Sequence, residues 1–135
     1  MYSIHKAETP AELEAVYRFR YEHCFRDFPA GYPGLDHARQ RLFEPHDRDS
    51  EHVCAMDAAG RLVAVSTATA ADAPSAPADW AAWFALERLR PLGLPRLMVS
   101  TRMVLHRGER GGELFTFFYK ALKRRYVAAG LLASL

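Results

Sequence analysis

Within MVSTRMVLHRGERGGELFTFFYKAL, residues 98–122, three glycines (Gly108, Gly111 and Gly112) fall in five positions, with Arg107 and Arg110 interleaved. An apolar run with strand character precedes them, and an aromatic run at helical spacing follows at once. A helix N-terminus presents unpaired backbone N–H groups and the positive end of its dipole. Placed directly after a strand, with glycines that let a ligand approach the main chain, such a junction can cradle a phosphate. A tight strand-to-helix turn carrying surface arginines would use the same residues, and residue types alone leave both readings open. No Lys-Ser/Thr pair follows the glycines, which excludes a Walker-type site. The segment GERGG is not G-x-G-x-x-G and comes late in the chain, so a dinucleotide fingerprint is absent too.

Charge points the same way as the glycines. Residues 96–135 carry 8 Lys/Arg against 2 Asp/Glu, whereas residues 1–95 carry 10 against 14. The last third is therefore basic on an otherwise acidic chain, which favours an anionic partner there; a solvated basic helix face is the plain alternative. Arg102 lies in the middle of the apolar run, where an arginine needs a partner, and Asp47 and Glu44 are the carboxylates expected to supply it. The two cysteines, Cys24 and Cys54, lack metal-ligand spacing and read as reduced thiols; no metal site is expected. No stretch reaches the ~20 apolar residues of a membrane span. MYSIHKAETP has no apolar signal core, so a cytoplasmic location without membrane contact is expected.

The elements that must position these residues follow from pattern. YSIHKA alternates as a short first strand. Thr9, Pro10 and Glu12 spell a capping box opening a helix, with Leu13, Val16, Tyr17 and Cys24 on its inner face. FPAGYPG must break that helix, and LDHARQRLF reads as a short second one. SEHVCAMDAAGRLVAVSTATA is a hairpin with Gly60 at the position of positive φ. DWAAWFALERL reads as a third helix capped by Asp79, with Trp80, Trp83 and Phe84 on one side, stopped by Pro91. RLMVSTRMVL is a strand. GELFTFFYKALKRRYVAAG is a helix burying Leu114, Phe117, Phe118, Ala121, Leu122 and Tyr126, and LLASL begins another strand. The sum is one mixed α/β (α+β) domain over residues 1–135, whose final strand–helix–strand unit forms a right-handed parallel crossover.

This arrangement resembles the GNAT N-acyltransferase superfamily, in which a central strand enters a Q/R-x-x-G-x-G/A loop that opens a helix. RGERGG matches at Arg107 and Gly112, but Arg110 stands where the motif has glycine. The surroundings are similar to the acyl-homoserine lactone synthases and long-chain N-acyl amino acid synthases. VYRFRYEHCF matches the first helix with its arginine at Arg20. Glu44, Asp47, Ser50 and His52 follow that branch's order of an acidic pair and then Ser-x-His, and Thr101 and Arg102 take the places of a Ser-Arg pair. The sequence departs from the branch at Val99, where an acidic base is expected, and near Ser66–Thr67, where an arginine is. It also stops at LLASL, where the family's fifth strand begins. The expectation is thus a GNAT-like central sheet flanked by helices without the C-terminal strands: a fragment, an abbreviated relative, or a fold completed by a second chain as a dimer.

The resemblance implies transfer of an acyl group to the amine of a small molecule, such as an amino acid or related metabolite. The donor is a thioester of coenzyme A or of acyl carrier protein, with no permanently bound cofactor. Donor contacts are expected from Val104, Leu105, Arg107, Gly108, Arg110, Gly111 and Gly112; the acceptor side falls to Arg20, Asp47 and Thr101. Arg102 and His106 take the catalytic places, His106 as a substitute base able to accept a proton near neutral pH. A surface role for Arg20, a loop role for His106 and a purely structural pair for Arg102 are the plain alternatives. Lys120, Lys123, Arg124 and Arg125 would face an acidic carrier protein. Two other classes remain: a catalytically inactive GNAT-like binding or regulatory domain, and a basic nucleic-acid-binding module. The absence of a stacking platform or helix-turn-helix spacing counts against the last.

Overall fold

The computed structural model describes residues 1–89, 91, 97–109 and 111–128. Strand β1 (Ser3–Lys6) leads into helix α1 (Pro10–Arg20), which runs on as a π-helical turn over Tyr21–Phe25. Two short strands follow, β2 (Leu35–Asp36) and β3 (Arg41–Leu42), and then a 3-10 turn over Pro45–Asp49. The hairpin is β4 (Ser50–Met56) and β5 (Leu62–Ala70). Short helical turns α2 (Trp80–Trp83) and α3 (Leu86–Leu89) precede β6 (Met98–Leu105). A 3-10 turn at Arg107–Glu109 then leads to α4 (Glu113–Ala128). The main sheet has the order β1-β4-β5-β6, and every pair in it is antiparallel. The parallel crossover expected at the end of the chain depends on residues 131–135, which lie outside the described residues.

α1 starts where the sequence says it must. The Thr9 hydroxyl accepts the Glu12 N–H at 3.1 Å, and the Glu12 carboxylate accepts the Thr9 N–H at 3.4 Å. Its inner face buries Val16, Tyr17 and Phe19 against Cys54, Val65 and Val104 on one side of the sheet. α4 buries Leu114, Phe118, Leu122 and Tyr126 against Val53, Ala55, Ala68 and Met98 on the other. Phe118 is fully enclosed, which contributes about 2–3 kcal/mol of transfer free energy. Phe117, expected in the same stripe, is 38% exposed and packs its ring on Tyr2 at 5.4 Å.

Two expectations are corrected. LDHARQRLF is not a helix: Gly34 holds φ +84°, a Cβ there would lie 2.2 Å from the Phe43 carbonyl oxygen, and β2 pairs with β3. Asp36 accepts the Arg39 N–H at 2.9 Å, so turn chemistry outweighs helical propensity here. DWAAWFALERL does not form one helix either, because Ala85 takes φ +49° and splits it into two turns. Asp79 makes no side-chain cap, and Trp83 is exposed while Trp80 is buried.

One irregularity in β6 sets the geometry of the site. Thr67 pairs with Arg102 but Ala68 pairs with Ser100, so Thr101 is an extra residue, a β-bulge. A one-residue slip moves every following side chain to the opposite face. The bulge therefore turns Arg102 and Val104 toward the α1 side, with Met103 and Leu105 packed toward α4.

Candidate functional site

The glycine junction opens onto a cleft. A cavity of about 600 Å³ is lined by Met103, Val104 and Leu105 of β6, by Gly111 and Gly112, by Phe115 of α4 and by Cys24. Gly108, Gly111 and Gly112 are all solvent-exposed. Gly111 adopts φ +88°, and a Cβ there would meet nothing within 4 Å, so its glycine serves backbone conformation and leaves the space before it open. Of the residues expected to touch the donor, Val104, Leu105, Gly111 and Gly112 line this cleft. Arg107 lies exposed beside it, with a loose ion pair to Asp27 at 3.6 Å. Arg110 lies outside the described residues.

The amides at the start of the junction are already engaged. The Arg107 N–H donates to His23 Nδ1 at 3.2 Å, and the Gly108 N–H donates to His106 Nδ1 at 3.0 Å. The two imidazoles lie 4.3 Å apart, tilted at 40°, and Phe19 lies 4.4 Å beyond His23. A neutral imidazole whose Nδ1 accepts carries its proton on Nε2. In this arrangement the Nδ1 of His106 is occupied by the Gly108 N–H.

The residues expected on the acceptor side form a separate, interior cluster. Arg20 is fully buried; its guanidinium donates to both Asp47 oxygens at 2.9 and 2.6 Å, to the Leu42 carbonyl at 2.6 Å and to the Thr67 hydroxyl at 3.3 Å. This corrects a surface placement of Arg20, whose guanidinium is enclosed. Burial alone would raise the Asp47 carboxyl, but the hydrogen bonds and charge of Arg20 and the Glu44 N–H hold it below its usual value. Burial pushes the neighbouring His52 down to about 4, so it stays neutral, with Nδ1 2.9 Å from the Thr67 hydroxyl.

Arg102 bridges the two groups. Its Nε and Nη2 donate to the two Glu44 oxygens at 2.7 and 3.0 Å, Nη2 also donates to the Tyr32 hydroxyl at 2.8 Å, and the guanidinium lies 5.3 Å from the centre of the Phe25 ring. Of the two carboxylates expected for it, Glu44 is the partner and Asp47 belongs to Arg20. Thr101, at the bulge, has a buried hydroxyl without a hydrogen-bond partner among the described residues.

Sequence reasoning missed Cys24 as a cleft residue and His23 as the acceptor of the Arg107 N–H. The π-helical turn at Tyr21–Phe25 fits an extra residue into one turn and shifts the phase of everything after it. Nothing in YEHCF announces that turn. Phe115, in the aromatic run that follows the glycines, is 50% exposed in the fold and stacks on Tyr119.

No protein-family model and no curated protein matches the sequence. Solved structures do. The chain is similar to a CoA-dependent acyl-homoserine lactone synthase, BjaI, solved with MTA: 16% identity, TM-score 0.72, covering 99% of this chain and 65% of that one. A predicted acetyltransferase from Clostridium acetobutylicum with acetyl-CoA is 14% identical at TM-score 0.62, covering 100% and 79%. An acetyltransferase of Trypanosoma brucei is 12% identical at TM-score 0.56, covering 100% and 81%. The chain thus has a GNAT-like fold, and it spans slightly less than two thirds of the lactone synthase's length. Among the described residues, no helix is long and apolar enough to cross a membrane.

Proposed function

We propose that this domain binds an acyl thioester in the β6–α4 cleft and transfers the acyl group to the amine of a small molecule. The cleft carries the reading: exposed glycine backbone and an apolar strand edge line one cavity, in a fold shared with acetyl-CoA-binding and CoA-dependent acyltransferases. The diphosphate of coenzyme A would lie at Gly111, Gly112 and the first turn of α4, where the helix dipole and Arg107 favour negative charge. The pantetheine arm would run along Met103–Leu105. The amine attacks the thioester carbonyl, an N–H of β6 stabilises the oxyanion, and the thiolate leaves as the C–S bond breaks. The proton lost by the amine ends on that thiolate. One such N–H donor is worth about 3–4 kcal/mol in comparable sites, and positioning contributes about 7–11 kcal/mol. Acid–base catalysis adds a factor of about 10²–10⁴.

Roles divide accordingly. Arg102, clamped by Glu44 and Tyr32, fixes the strand beside the bulge, and Arg20–Asp47 braces α1 behind it. Thr101 offers its unpaired hydroxyl to the acceptor. His106 becomes available as a base only after releasing Gly108. An acyl carrier protein is the alternative donor, and the exposed Lys120, Lys123 and Arg124 of α4 suit its acidic surface.

Thermal shift with coenzyme A, an acyl-coenzyme A, acyl carrier protein and duplex DNA tests this reading. Thioesters at 100-fold over Kd should stabilise by about 2.7 kcal/mol, and DNA should do nothing. Silence with every thioester supports an inactive domain, and a response to DNA alone supports the nucleic-acid module; either outcome removes the proposal.

A further inference from the structure

We infer that Phe115 and Tyr119 form a stacking platform for the purine ring of a coenzyme A thioester, so that the β6–α4 cleft suits the nucleotide-bearing donor over acyl carrier protein. The inference rests on the acyl-donor reading above and narrows its donor to one chemical class. α4 turns Leu114, Phe118, Leu122 and Tyr126 into the core. The neighbouring ridge, with the same four-residue spacing, begins with Phe115 and Tyr119, both about half exposed. Their ring planes lie within 11° of each other, with centroids 6.0 Å apart. A single exposed ring is ordinary on a protein surface. Two nearly parallel rings that continue the wall of a cavity present the kind of flat apolar surface on which a base stacks. Phe115 shares its cavity with Gly111 and Gly112. Tyr119 follows about 6 Å further along the helix. A diphosphate held at Gly111 and Gly112 would leave its adenosine beside these rings.

Charge agrees with that placement. The Lys123 ammonium lies 5.4 Å from the centre of the Tyr119 ring, and Lys120 and Arg124 are exposed on the adjoining ridge. Arg125, by contrast, is held by Glu51 at 2.6 Å. Coenzyme A carries a 3′-phosphate on its ribose, an anion that such cations attract. The phosphopantetheine arm of a carrier protein has neither purine nor 3′-phosphate and would leave both features unused. Rings beside cations also suit a single strand of nucleic acid. The cavity favours the smaller ligand, because it joins Phe115 to bare glycine backbone and to the apolar edge of β6. Sequence pattern shows no such platform, since the two rings are four residues apart and meet only through the helix.

The test is calorimetry with coenzyme A, 4′-phosphopantetheine and a dA oligonucleotide on the full chain, F115A, F115W and Y119A. Both rings are half exposed, so thermal melts should show all three variants folded. Stacking of a base on an aromatic side chain is worth a factor of roughly 5 to 150 in affinity. F115A and Y119A should each weaken coenzyme A about tenfold and leave 4′-phosphopantetheine unchanged, whereas F115W should retain coenzyme A. Saturation transferred from the protein to bound coenzyme A should be strongest at the adenine protons and should fall in F115A. Equal losses for coenzyme A and 4′-phosphopantetheine in F115A would make the ring a wall of the pantetheine channel and overturn the platform. Unchanged coenzyme A affinity in F115A and Y119A, or adenine protons no more saturated than the pantetheine methyls, overturns it too. If 4′-phosphopantetheine binds the full chain as tightly as coenzyme A, the purine subsite falls and the acyl-donor reading stands. Oligonucleotide binding tighter than that of coenzyme A assigns the rings to nucleic acid and overturns the inference. Failure of coenzyme A and 4′-phosphopantetheine alike to bind the full chain removes the acyl-donor reading and the platform with it.

Discussion

Arg20→Met asks whether this arginine serves the fold or a substrate. The guanidinium is fully buried, makes four hydrogen bonds and neutralises the equally buried Asp47. Removing one partner of a buried ion pair strands the other charge and typically costs about 3–5 kcal/mol. A domain of this size has about 5–15 kcal/mol in total, so the variant should fold with a sharply reduced margin. With a urea slope near 2 kcal/mol/M, about 4 kcal/mol moves the unfolding midpoint down by about 2 M. The companion R20M/D47L removes both charges and should recover a large share of that loss, because the penalty lies mainly in the unpaired carboxylate. Urea titration followed by far-UV circular dichroism reads all three proteins. A loss under about 1 kcal/mol for R20M, or a double variant no more stable than R20M, refutes the buried-pair argument. A normal melt combined with lost acceptor binding would instead return Arg20 to the substrate.

His52 predicts a pH dependence of stability. Below pH 6.5 the unfolded imidazole takes up a proton that the buried one refuses until about pH 4, so stability falls as pH falls through that window. The slope is about 1.4 kcal/mol per pH unit, or about 3 kcal/mol in all. His46, lowered by its burial, acts in the same direction. Asp47 acts differently: its lowered carboxyl contributes stability that is lost only at still lower pH. H52N should flatten the slope between pH 6.5 and 4.5 in denaturant titrations, and an unchanged slope sinks the assignment. At the junction, G111A should cost about 1–2 kcal/mol because alanine must hold φ +88°. G112A, with only an ordinary 3.5 Å contact and no positive φ, should stay within about 0.5 kcal/mol; equal melting losses for the two would refute the backbone account. Reversing charge at Lys120 and Arg124 should slow association with acyl carrier protein, with the deficit vanishing at high salt; a salt-independent deficit would argue against electrostatic docking.

Much of the scaffold is written locally and was legible. The Thr9–Glu12 box, the Gly60 turn and the apolar run into β6 are each specified by residues a few positions apart. What escaped depends on partners far along the chain. The helical propensity of LDHARQRLF yields to Gly34, whose bareness is demanded by the Phe43 backbone. Arg20 falls on the inner face of α1, but only Asp47, Leu42 and Thr67, brought in from three other places, make that position tolerable. The same holds for His106, which pattern places at a strand end and tertiary structure sets against His23.

The two features least visible in sequence are also the two that shape the cleft, and both are single-residue insertions. The bulge at Thr101 turns Arg102 toward Glu44 and Tyr32. The π turn brings Cys24 to the cavity and His23 onto the Arg107 amide. A regular β6 would send Arg102 toward the apolar α4 side, away from Glu44 and Tyr32, and a regular α1 would carry His23 around the helix. Insertions of this kind cost hydrogen bonds in their own element and survive where something else gains from the altered phase. Here both act where β6 meets the end of α1, beside the glycine junction. That convergence ties the irregular backbone to the cleft.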